Sequence, residues 1–84
     1  MQEVKNSVDV YNSVSPDMAG SEVYLFLRKN RQPYKTFFNE GQPKHISVEC
    51  ADGRRVLVFI NDEGFVVRVK VKENGFLIHQ KGVL

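Results

Sequence analysis

Apolar residues recur along most of this chain with a period of two, the spacing that lines one face of a β-strand. The alternation is clearest over residues 65–72, where Val67, Val69 and Val71 interleave with Arg68, Lys70 and Lys72. That pattern predicts a half-buried antiparallel strand with a wet, cationic outer face. Residues 45–50 also alternate, with Ile46, Val48 and Cys50 on one side and His45, Ser47 and Glu49 on the other. Residues 55–60 are apolar on both sides, Val56, Val58 and Ile60 against Leu57 and Phe59, as in a central strand covered on both faces. Residues 23–27 are β-branched, aromatic and apolar throughout and read as a short buried strand. Residues 34–38 and 76–80 supply two more.

Turn chemistry separates these runs. Residues 29–33 end in Pro33, and residues 39–43 contain Gly41 and Pro43. Asp52-Gly53 and Asn74-Gly75 are hairpin signals, because a type I′ turn needs positive φ at both central residues. Residues 61–64 make the turn between them. The expected fold class is all-β: a five- to six-stranded antiparallel meander, curled or closed into a small barrel. It occupies residues 21–84 of a single domain, residues 1–84.

Residues 1–20 form an acidic head, irregular or partly helical. Val4, Val8 and Tyr11 suit one short helical face, so a short N-terminal helix or arm is expected. Ser15-Pro16-Asp17 is a helix-start signal whose helix would run into residues 23–27; Gly20 and Val23 argue against that extension.

Hairpin geometry turns the strands into faces. A four-residue turn pairs Ile60 with Phe65, Val58 with Val67 and Val56 with Val69; a two-residue turn at Asn74-Gly75 sets Val71 against Ile78. The core face then continues through Phe76. The opposite face gathers Leu57, Phe59, Val66 and Leu77 with Arg55, Arg68, Lys70, Lys72 and His79, and it needs a cover. At Asp52-Gly53 a two-residue loop pairs Ile46 with Phe59, whereas a three-residue loop with a bulge pairs Ile46 with Val58.

Composition changes little: 84 residues, 42% hydrophobic and 26% charged, are ordinary globular proportions. Charge changes more. Residues 1–27 hold one lysine against four acids, net −3, and residues 28–84 hold eleven cations against six acids, net +5. The head is a candidate cover for the cationic face. The lone Cys50 excludes an intrachain disulfide and reads as a small buried hydrophobe. Met1 to Asn6 lack a basic-then-apolar leader, and no apolar run approaches the ~20 residues of a membrane span. The expectation is a cytoplasmic protein away from the membrane.

Catalytic and metal chemistry finds little footing. The glycines stand singly in turns, without a phosphate-binding loop. His45 and Cys50 fall on opposite strand faces, and with His79 they lack the short paired spacings of a metal site. His45, Ser47 and Glu49 share a face, but such a row is usually a solvated surface. No enzyme, metal or cofactor is expected.

Two binding readings remain. The first is a protein-binding module, an inhibitor, adaptor or accessory protein of the kind phages and prophages carry. It acts through Tyr24, Arg28, Lys29, Arg31, Tyr34, Lys35 and Phe38, since aromatics beside arginine make interface hot spots. Phe26 and either Phe37 or Phe38 are assigned to the core. The second reading is nucleic-acid binding on Arg55, Arg68, Lys70, Lys72 and His79, with cations following the backbone and rings stacking on bases. A pI of 8.8 falls below the usual guideline of about 9. A small core and an apolar two-sided strand favour a homodimer under either reading.

Overall fold

A computed structural model describes residues 5–82. Five strands, β1 (Tyr34–Asn39), β2 (Gln42–Glu49), β3 (Arg55–Ile60), β4 (Val66–Glu73) and β5 (Phe76–Gly82), follow two helices, α1 (Ser7–Ser13) and α2 (Gly20–Lys29). The strands form one antiparallel sheet in chain order. The meander stays open, with β1 and β5 as its edges, and does not close into a barrel. Its tightest turns follow the expected chemistry: Asn74 and Gly75 have φ of 52° and 84°, both positive as a type I′ turn requires.

Residues 23–27 correct the expectation: they are helical, not a strand. An apolar run this short does not distinguish the two by periodicity. In α2, Val23 and Leu27 lie four apart on one side and are fully buried, while Leu25 points outward at 66% exposure. Burial against the sheet overrides the strand propensity of the individual residues. Gly20 starts the helix in close contact with the β3–β4 turn, its N–H donating to the Gly64 carbonyl at 2.7 Å. A Cβ at Gly20 would stand 3.1 Å from that carbonyl oxygen. Ser15 and Asp17 do not cap the helix; Ser15 accepts from the Met18 N–H in a preceding turn.

Both helices cover the same face of the sheet. Val10 of α1, Val14 just after it, and Val23 and Leu27 of α2 join Ile46, Val48, Val56, Val58, Val69 and Val71 in one core. In α1 the buried positions are Ser7 and Val10, with Val8 exposed. The proposed Val4 position lies outside the described residues, as does the tail beyond Gly82. The acidic head therefore covers the apolar face, and the cationic face stays uncovered among the described residues. Buried Gln32 ties the layers together: its Oε1 accepts from the Lys5 N–H and its Nε2 donates to the Glu49 carbonyl at 2.7 Å.

Three bulges set which side chains face which way. Each adds one residue to one strand: Lys44 in β2, Val67 in β4 and Ile78 in β5. The β3–β4 turn has three residues between Asn61 and Phe65, not the expected four, and this together with the Val67 bulge shifts the register by two, so Val58 pairs with Val69 and Val56 with Val71. Val66 becomes the buried residue, and Phe65 is left partly exposed. At β2–β3 the loop has three residues, and Ile46 pairs with Val58. The β4–β5 turn has two residues, pairing Glu73 with Phe76, but the next bulge sets Val71 against His79 and not Ile78.

Candidate functional site

The uncovered sheet face is built from alternate residues of all five strands. One row across it runs Phe37, His45, Phe59, Arg68. The next row runs Lys35, Ser47, Leu57, Lys70, Gln80, and a third Glu49, Arg55, Lys72, Leu77. Cations outnumber acids on this face, where Glu49 is the acid. The other acids of the basic body sit in turns, as Glu40, Asp62 and Glu63 do, or face other partners. Segregation of charge between faces thus exceeds what a formal charge of +2 conveys.

The first row is a stack of rings. Phe37 and His45 lie face to face, centroids 4.6 Å apart and planes inclined by 12°. The Phe59 ring follows, its centroid 5.2 Å from that of His45 and its plane tilted by 30°. Strands stand about 4.8 Å apart, so rings on adjacent strands can stack face to face at this spacing. Arg68 and Lys70 lie over the Phe59 ring, 5.8 and 5.4 Å from its centroid. At the other end Phe37 is 47% exposed on edge strand β1, with no strand beyond it. The stack is therefore cation-capped at one end and open at the other.

Burial, and to a lesser degree the Lys44 charge, hold the His45 pKa below its ordinary value. Its Nδ1 is buried without a hydrogen-bond partner. Both causes favour the neutral imidazole. Ser47 is itself buried, and His45 is flanked by rings, which leaves the row His45, Ser47, Glu49 without the geometry of a nucleophile and its base. No group of three His, Cys, Asp or Glu among the described residues is placed to hold a metal ion. Burial, then the nearby Asp52 charge, push the Cys50 thiol up to about 12.

The sequence-derived candidates divide between the two sides of the molecule. Arg55, Arg68, Lys70 and Lys72 share the open face as expected. His79 does not join them: the extra residue Ile78 turns it to the helix side, its ring centroid 6.0 Å from that of Tyr11. Tyr24, Arg28 and Tyr34 cluster on the helix side. Tyr24 shares a 2.8 Å hydrogen bond with Thr36, its ring centroid is 5.7 Å from that of Tyr34, and Arg28 Nε donates to the Tyr34 hydroxyl. Lys29 and Arg31 are exposed at the end of α2, and Lys35 lies on the opposite sheet face. Phe38 is 63% exposed past the β1–β2 bulge, and neither it nor Phe37 is core; Phe26 does pack against the core.

The ring stack itself was not anticipated as a unit. Its signal was present: Phe37 alternates with Lys35, and His45 and Phe59 each fall on the polar or cationic side of their strands. Assigning Phe37 or Phe38 to the core hid it. No helix among the described residues is long and apolar enough to cross a membrane. Compared with known proteins, the chain matches no family model, no curated protein and no solved structure.

Proposed function

We propose that this protein is a non-enzymatic binding module that engages single-stranded nucleic acid on its open sheet face. The observation that carries the reading is the stack Phe37–His45–Phe59, capped by Arg68 and Lys70 on a face with few acids. Bases extend an aromatic stack whatever their identity, because each has a π-face, while cations track the phosphates. The open end at Phe37 is where a base would join. Single strands suit this face better than a duplex, whose bases are already stacked on each other.

The test is fluorescence anisotropy with single-stranded and duplex oligonucleotides across a salt series. Single strands should bind at low salt and weaken steeply as salt rises. Lys70→Ala should reduce the salt slope by about one, and Phe37→Ala should cost about 1–3 kcal/mol of binding at every salt. Absence of binding at low salt would sink this reading.

That outcome would favour the second reading, a protein partner. Its supporting observation is edge strand β5, which exposes Phe76, Leu77 and Ile78 beside unpaired strand edge. Such an edge suits strand addition by a partner or by a second copy of the chain.

A further inference from the structure

A groove of about 390 Å³ opens on the same face between the β2–β3 and β4–β5 turns. It is lined by Arg55, Lys72, Leu57, Asn74 and the turn glycines Gly53 and Gly75. Arg55 and Lys72 pair directly across β3 and β4. Like charges directly opposite one another on neighbouring strands are unfavourable, so this pair costs the protein stability.

The local acids relieve it only in part. The Asp52 carboxylate accepts from the backbone N–H and the hydroxyl of Ser7, on the helix side. Glu73 accepts from Arg54 Nε at 2.8 Å. Glu49 reaches Arg55 only at 3.7 Å, with both side chains well exposed. No acid among the described residues pairs with Lys72. Two cations therefore converge on one groove; Glu49 flanks Arg55 alone, and Asp52 and Glu73 are committed elsewhere.

We infer that this groove holds a phosphate monoester, the terminal phosphate of the single strand proposed above, on which reading the inference rests. A monoester carries nearly two negative charges at neutral pH, against one for an internal phosphodiester. A doubly charged oxyanion matches an opposed Arg–Lys pair, with the guanidinium able to bind two oxygens at once. The groove sits at the sheet end where both turns close it. A strand anchored there runs in one direction, past Lys70 toward the ring stack. Arg55 and Phe59 are four residues apart on β3, about 13 Å at the rise of a strand.

The experiment compares one single strand of about ten nucleotides carrying a 5′-phosphate, a 3′-phosphate or no terminal phosphate, labelled internally. The terminal phosphate at one end should tighten binding about tenfold, the size of a charge-assisted hydrogen bond. In Lys72→Ala that gain should shrink to less than about twofold. The variant should unfold no earlier than the original protein, because one of two opposed like charges is gone.

Equal binding of all three strands overturns the terminal-phosphate site and leaves the single-strand reading standing. If no strand binds, the single-strand reading fails, and inorganic phosphate alone then decides the groove. Amide shifts at Gly53 and Gly75 that Lys72→Ala abolishes support it, and no shift overturns it.

Discussion

The Asp52 carboxylate sits in the β2–β3 loop yet serves the N-terminus of α1, accepting from both the N–H and the hydroxyl of Ser7. Ser7 is the first helical residue, and its N–H has no partner within the helix. Desolvation raises the Asp52 pKa, but the hydrogen bonds from Ser7, then that from the Arg54 N–H, outweigh it and leave the pKa lowered. A depressed carboxylate contributes stability above its unfolded pKa and loses it as pH falls through the folded value. Asp52→Ala is therefore expected to destabilise the protein by about 0.5–1 kcal/mol at neutral pH, the low end for a cap because the group is solvent-exposed. Urea unfolding should show the gap between variant and parent closing in acid. A gap that stays constant with pH would refute this role.

At the scale of the element, α2 decides the architecture. In a strand, Val23, Leu25 and Leu27 would share one face; in a helix, Leu27 stays with Val23 and Leu25 turns away. Leu27→Ala is accordingly expected to cost about 3 kcal/mol, transfer and cavity together, and Leu25→Ala less than about 0.5 kcal/mol. Denaturant midpoints of the two variants check this directly, and equal losses would contradict the helix. The basic end of α2, Arg28 and Lys29, also favours a helix by complementing its C-terminal dipole. The bulges act at this scale too. Val67 and Ile78 each shift alternation by one residue, which buries Val66 and moves His79 to the other face.

For the whole molecule, the two sheet faces divide the work. Helices seal one over an apolar core, and the other gathers like charges that repel in the unliganded protein. The Glu49–Arg55 pair on that face is 3.7 Å long, well exposed and contributes little, so repulsion sets the sign of the salt response. Raising NaCl from about 10 to 200 mM should therefore raise the thermal midpoint by about 2–4 °C, as screening removes roughly 0.5 kcal/mol of repulsion. A midpoint that falls with salt would contradict a repulsive open face. On the function proposed above, the face whose like charges destabilise the protein is also the face that would bind the anionic strand.

The amino-acid pattern by itself determined the five strands of the meander, the Asn74-Gly75 turn and the placing of Arg55, Arg68, Lys70 and Lys72 on one side. These are local properties: alternation and turn chemistry act over a few residues. Three features were decided only by tertiary structure. Residues 23–27 became helix because the sheet offered a surface for Val23 and Leu27. The bulges arose between paired strands, so no single strand announces them, and they separated His79 from the cationic row. The ring stack needed three strands to bring Phe37, His45 and Phe59 side by side. Each depends on neighbours distant in sequence, and burial against those neighbours outweighs the preferences of the residues taken alone.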